Sequence, residues 1–279
     1  MDSTPPITVE RVGPVAIVWL DRPDHRNAFA PEFWQLLPDV MEDVGDDPDV
    51  RAVVVAARGP AFTVGLDLKQ FGSAMATGSL DPAALPPASP VAQRVRTRRL
   101  VKTMQRTFSS LADCQKPVIA AIHGYCIGAG VDLITACDIR YAAVDAIFSI
   151  RETRLAMVAD VGTLQRLPRI IDPGSLAELA YTGRDFDATE AASLGLVTRL
   201  LPDQDATLAA AIETAQLIAA NSPLAVEGTK AVLRAGVGQT VDGSLDYVAL
   251  WNAAFLHSDD LGEAMAAFVE RRPPEFKGE

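Results

Sequence analysis

Three stretches of the chain place glycines and carboxylates where they could do acid/base chemistry. In KPVIAAIHGYCIGAGVDLITACDIRYA, Lys116 to Ala142, an apolar run ends at Gly124, and Gly128-Ala129-Gly130 then opens a helix-compatible run. Such an order leaves unpaired backbone N–H groups at a helix start beside the end of a buried strand, where they favour an anion. Asp132 falls in the first turn of that helix, either as a charge suited to the helix dipole or as a catalytic acid. In RGPAFTVGLDLKQF, Arg58 to Phe71, Gly65 permits a sharp turn that could aim the Leu66 N–H into the same site, with Asp67 read as a helix cap. Two N–H donors converging on one oxygen make an oxyanion hole.

The third stretch, FSIRETRLAMVADVGTLQRLP, Phe148 to Pro168, holds Glu152 and Asp160 eight residues apart around an apolar run. An acid lying against apolar surface has a raised pKa, which suits proton transfer near neutral pH. The structural alternatives are a surface Glu152 paired with Arg151 or Arg154, and Asp160 as the N-cap of the helix that follows. A dinucleotide site with Glu152 as the ribose acid is a weak rival, because Leu133 stands where the third glycine of the fingerprint belongs. G-x-S-x-G, P-loop and H-E-x-x-H motifs are absent from the sequence, and no metal site is expected.

The elements that must position these groups read as an α/β core. Ile7 to Glu10 and Val15 to Leu20 form a predicted hairpin about Gly13-Pro14, with a helix opening near Pro31-Glu32. Arg51 to Ala57 and Val118 to Ile122 are short continuous apolar runs, the pattern of strands covered on both faces. DIRYAA and AIFSI supply two more strands. Ser73 to Pro90 reads as an extended loop, and RVRTRR, Arg94 to Arg99, opens the next helix either as a solvated face or as a contact for an anionic ligand. After Leu201 the pattern is helical: Asp205 to Asn221, Leu224 to Ala235 behind a Ser222-Pro223 cap, and Asp259 to Arg271. The expected division is therefore residues 1–200 as the core with the site and residues 201–279 as a helical C-terminal region.

The composition narrows the chemistry. Among 279 residues there are three His and three Cys against 36 Asp+Glu, so carboxylates must carry acid/base work. A net charge of -11 opposes nucleic-acid binding. Cys114, Cys126 and Cys137 sit in apolar stretches without a C-x-x-C pair, as buried thiols of a reducing compartment do. The acids and prolines of MDSTPPITVE do not make a signal peptide, and the most apolar window, Pro117 to Ile139, contains His123, Asp132 and Asp138. A cytoplasmic protein without membrane partners is expected.

Together, RPDHRNAF (Arg22 to Phe29), AFTVGLDL and HGYCIGAGVDLITACDIRYA resemble, in order and spacing, the enoyl-CoA hydratase/isomerase (crotonase) superfamily from about Ile7 to Gly278. The resemblance implies a spiral of ββα turns with a helical C-terminal trimerisation region, in a homotrimer or dimer of trimers. It implies an acyl-CoA thioester substrate held at its carbonyl by the Leu66 and Ala129 N–H groups, and no cofactor, CoA being part of the substrate. Ala129 replaces a glycine common in the family. The set Asp132, Glu152 and Asp160 resembles the branch that isomerises 3,5-dienoyl-CoA to 2,4-dienoyl-CoA. In that reading Glu152 takes the C2 proton and Asp160 delivers one at C6, or the reverse, while Asp132 orients or tunes the pair. CoA contacts are implied for Arg26, Ala28, Phe62, Gly65, Asp67 and Leu68, with Phe268 or Lys277 from an adjacent subunit. A 2-enoyl-CoA hydratase and a non-catalytic acyl-CoA-binding protein are the alternatives.

Overall fold

The computed structural model describes residues 5–81 and 83–279. In chain order its elements are β1 (Ile7–Val12), β2 (Val15–Leu20), α1 (Phe33–Asp46), β3 (Ala52–Ala57), α2 (Leu68–Thr77), α3 (Pro90–Asp113), β4 (Val118–Ile122), β5 (Tyr125–Ile127) and α4 (Ala129–Ala136). They continue with β6 (Ile139–Ala143), β7 (Ile147–Ser149), α5 (Thr163–Arg166), α6 (Pro173–Thr182), β8 (Phe186–Asp187), α7 (Ala188–Ser193) and β9 (Arg199–Leu201). Four helices end the chain: α8 (Gln204–Ala219), α9 (Pro223–Ala235), α10 (Val241–Phe255) and α11 (Asp259–Glu270).

One sheet runs in the order β1-β2-β3-β4-β6-β9, and a smaller one in the order β5-β7-β8. Only the β1–β2 hairpin is antiparallel in the larger sheet; β2 through β9 pair in parallel. That explains why β2, β3 and β4 are buried at every residue, since helices cover both faces. Isolated bridges Phe29↔Leu66 and Thr63↔Cys126 extend the smaller sheet beside β5. The chain thus winds as a spiral, passing from each central strand into a segment of the smaller layer, where the glycine turns lie.

Two apolar clusters fill the fold. The larger packs α1, α3 and α4 against one face of the main sheet around Trp34, Phe33, Phe29 and Phe108. The smaller sets Val54, Ile119 and Tyr141 against Ala210, Ala211 and Ala215 of α8, whose small side chains let a helix sit close on the sheet. The expected division after residue 200 cuts through β9, which is part of the main sheet, and α8 beyond it closes the second face of the core. The helices that stand apart from the sheet begin at α9.

The expected loop from Ser73 to Pro90 is shorter than read, because α2 carries through SAMAT to Thr77 before Gly78 closes it in the left-handed conformation, φ 67°. A side chain at position 78 would meet the Arg96 Cβ at 2.6 Å, so this turn also seats α2 against α3. Pro82 within that loop, and Met1–Thr4 of the N-terminal stretch read for a signal peptide, lie outside the described residues. No helix is long and apolar enough to cross a membrane among the described residues.

Candidate active site

The two glycine turns meet. Gly65 has φ 80°, and a Cβ there would lie 2.6 Å from the Ile127 carbonyl oxygen and 3.4 Å from the Ala129 nitrogen. Only a glycine allows this backbone-to-backbone approach. The flanking register is fixed by Phe29 N–H donating to Gly65 O at 2.7 Å, Asp67 N–H donating to Phe29 O at 3.1 Å, and Ile127 N–H donating to Thr63 O at 3.1 Å. Between these bonds the N–H of Leu66 and that of Ala129, the first residue of α4, have no acceptor among the described residues. Gly128 precedes Ala129 with φ 55° and turns the chain so that the helix starts at the cavity wall.

A cavity of about 1020 Å³ opens over these two groups. Gly65, Leu66, Gly128 and Ala129 line it together with Glu152 and Asp160. Its apolar end is a sleeve between Phe71 and Met75 of α2 and Leu100, Val101 and Met104 of α3, floored by Trp34. Arg26, Tyr125 and an Arg151–Asp185 ion pair contribute polar groups elsewhere on the wall.

Glu152 starts a 3₁₀ turn, Glu152–Leu155, that follows the end of β7, and Ala156 closes the turn in the left-handed conformation, φ 56°. Its carboxylate lies against the oxyanion turn: a Cβ on Gly128 would be 3.5 Å from Glu152 Oε1. The other oxygen, Oε2, is buried without a partner. Burial raises the Glu152 pKa, and the nearby Asp160 charge raises it further. Asp160 is open to the cavity, and the protein mass around that cavity raises its pKa as well. Its carbonyl accepts a 2.7 Å hydrogen bond from Gln105 Nε2 of α3, which ties it to the sleeve. Asp160 is not an N-cap, because α5 begins at Thr163 behind Gly162 with no side-chain cap of its own.

Asp132 has a different place from the one expected of a catalytic acid. It is 0% exposed and does not reach the cavity. Its Oδ1 accepts from the Thr163 N–H at 2.5 Å, so a residue of α4 anchors the start of α5 and, through it, the loop carrying Asp160. Oδ2 has no partner. Burial and then the Glu152 charge push its pKa up to about 7, against the lowering effect of the Thr163 bond.

Of the residues expected to contact CoA, Arg26, Gly65 and Leu68 line the cavity. Phe62 does not: it is 0% exposed and its ring belongs to the core. Asp67 caps α2 by accepting from Gln70 N–H at 3.2 Å and pairs with Arg22, while Ala28 is buried with its carbonyl taken by Arg22 at 2.6 Å. The sequence reading overlooked Asn27, which is buried at φ 54° and donates to the Arg58 and Ala61 carbonyls while accepting from Arg22 N–H. It pins the segment that presents Arg26. Its signal was available in the R-N pair before an apolar run, since Asn tolerates the left-handed region.

Among the described residues no cluster of His, Cys, Asp and Glu could hold a metal ion. The arrangement is two main-chain donors facing one point, two acids of raised pKa on the same wall, and an apolar sleeve behind them. It can stabilise an oxyanion and move protons beside it.

The family model described as Enoyl-CoA hydratase/isomerase matches residues 10–85 and 90–279. A relative from Arabidopsis thaliana named "Delta(3,5)-Delta(2,4)-dienoyl-CoA isomerase, peroxisomal" is 44% identical over 92% of this chain and 90% of that protein. A Mus musculus relative named as the mitochondrial form of the same isomerase is also 44% identical, over 91% of this chain and 76% of that protein. The crystal structure of an enoyl-CoA hydratase from Bacillus anthracis superposes with a TM-score of 0.87 at 30% identity, covering 98% of this chain and 100% of that one. The expected cytoplasmic location is overturned by these relatives, which are named as peroxisomal and mitochondrial. Cys114, Cys126 and Cys137 are buried thiols, and burial keeps a thiol free whatever organelle surrounds it.

Proposed function

The chain belongs to the enoyl-CoA hydratase/isomerase family, and from that premise we infer that it converts 3,5-dienoyl-CoA to 2,4-dienoyl-CoA. The observation that carries the choice of reaction is the placement of the acids. Glu152 and Asp160 line the cavity, one against the oxyanion turn and one tied to the sleeve helix, whereas Asp132 is sealed beneath it.

The thioester carbonyl oxygen would sit between the Leu66 and Ala129 N–H groups. Removing a proton from C2 then yields a trienolate whose charge is spread over the oxygen, C2, C4 and C6, and the two donors favour the oxygen's share. Glu152 is the base, because its carboxylate abuts Gly128 beside the hole and C2 is bonded to the carbonyl carbon. Asp160, tied to α3 on the sleeve side, enters protonated and delivers its proton to C6. The electrons shift so that C3=C4 and C5=C6 become C2=C3 and C4=C5 while the carbonyl reforms, and one proton lost is matched by one gained. Asp132 acts through Thr163 as a positioning residue. This chemistry draws on carboxylates and main-chain amides, and no cofactor is proposed beyond the substrate's CoA.

The substrate's nucleotide end would approach along Arg26 and Leu68. We also propose a homotrimer or dimer of trimers: Leu233, Leu250, Phe268 and Val269 on the C-terminal helices are 71%, 71%, 82% and 80% exposed, a density of apolar surface that calls for a partner. Sedimentation velocity reads the assembly directly, and a monomer would overturn that part.

The ultraviolet absorbance of the conjugated 2,4-dienoyl product tests the reaction. Purified protein with 3,5-dienoyl-CoA should give 2,4-dienoyl-CoA, with far slower hydration of a 2-enoyl-CoA. Hydration without diene formation would establish a hydratase, and binding without turnover a non-catalytic acyl-CoA binder.

A further inference from the structure

The basic run on α3 has no place in the reaction. Arg94, Arg98 and Lys102 stand four residues apart on one ridge, and Val91, Val95 and Arg99 form the adjoining ridge, so all six share one face of the helix. That face points outward: the four cations are exposed, and Val91 and Val95 are 66% and 46% exposed. The opposite face carries Thr97, Leu100, Val101 and Met104, which line the cavity. The stripe ends at Arg106, which borders a shallow groove shared with Glu42, Asp46 and Asp113.

Within the chain this stripe opposes helix stability. Arg94/Arg98 and Arg98/Lys102 are like charges at i, i+4, which repel along the helix. No acid stands in the first turn of α3 to offset them. Among the described residues none of the four side chains forms an ion pair, although the chain carries a net charge of -11. A charge pattern that breaks local rules without compensation inside the fold points to something outside it.

We propose that the outer face of α3 docks on an anionic phospholipid surface. The two exposed valines between the cations choose the occupant, since an apolar side chain among basic ones enters the boundary below lipid headgroups while the cations stay with the phosphates. A helix row of cations without a pocket matches a laterally continuous anionic surface, and polybasic helices bind such surfaces. The earlier expectation of no membrane partner rested on the lack of a spanning segment, whereas this contact is peripheral. Because the inner face of the same helix walls the acyl sleeve, docking would hold the cavity against the surface. The proposal does not depend on which reaction the cavity performs.

Co-sedimentation with phosphatidylcholine vesicles, with and without phosphatidylglycerol, tests it on the full chain. Binding should require phosphatidylglycerol and fall as salt is raised. The Arg98→Glu/Lys102→Glu variant should lose about tenfold or more of the bound fraction, with its diene-forming activity on soluble substrate unchanged. The milder Arg98→Gln/Lys102→Gln variant should lose less, and Arg94→Lys/Arg98→Lys/Arg99→Lys should bind as the parent does, since charge rather than guanidinium geometry is read. Failure of the unaltered protein to sediment with anionic vesicles, equal binding to neutral ones, salt-insensitive binding, or undiminished binding by the Glu variant would each overturn the proposal.

Discussion

The cavity has two sides built on opposite principles. On one, the Leu66 and Ala129 N–H groups are aimed by strand register and by Gly65 pressed on the Ile127 carbonyl, so the side chains at 66 and 129 matter little. On the other, Glu152 opens a short 3₁₀ turn and Asp160 lies on the irregular stretch after it, and everything depends on which side chains they are. The first side is a property of the backbone fold. The second is set by side-chain identity alone. A main-chain donor cannot be substituted away, so selection among reactions has to act on the acids.

Substitutions can break this division or sharpen it. The largest effects belong to the acid side: Glu152→Gln and Asp160→Asn should each lower kcat for diene formation by about 10²–10⁴-fold with little change in thermal stability, read by the product's ultraviolet absorbance. On the main-chain side, Gly65→Ala should cost about 10²–10³-fold in kcat by displacing one donor and should lower Tm, because the new Cβ collides with a backbone oxygen. If Gly65→Ala were silent, the hole would not be set by that contact.

Asp132 lies between the two sides and should show itself in pH dependence. In the folded chain its carboxyl keeps its proton up to about 7, whereas its ordinary value is 3.8. The native state therefore binds more protons across that window, and stability should fall as pH rises through it, by up to about 4 kcal/mol. Thermal melts of Asp132→Asn should lack much of this slope, and kcat should drop less than for Glu152→Gln. The smallest effect is Ala129→Gly: no more than a few-fold in kcat, since the N–H remains.

Much of this was legible in the sequence. The parallel strands announced themselves as unbroken apolar runs, and the glycines before Leu66 and Ala129 marked turns that free an N–H. What composition and spacing could not convey was long-range pairing. Asp132 reads from its spacing as a dipole charge ahead of a catalyst, and its actual partner, the Thr163 N–H, lies 31 residues away on another helix. Phe62 sat in the right segment but faces the core, because one residue's shift along an extended chain reverses its side. The sleeve residues Phe71, Leu100 and Met104 carry the periodicity of buried helix faces, which is the same for a cavity wall as for a packed core. The left-handed Gly78 end of α2 was hidden because SAMATG reads equally as loop or helix.

Ala156 closes the turn that holds Glu152 with φ 56°, where a side chain is tolerated at a cost of about 1–2 kcal/mol. Glycine would release that strain, but it would also give the unfolded chain more conformations, worth about 0.4–1 kcal/mol in the other direction. The second offsets roughly half of the first, so the methyl group at 156 leaves a net cost of only about 1 kcal/mol. What it changes is how many shapes the loop can take while folded, and a base that must meet a carbon acid at one angle gains from a hinge that cannot swing.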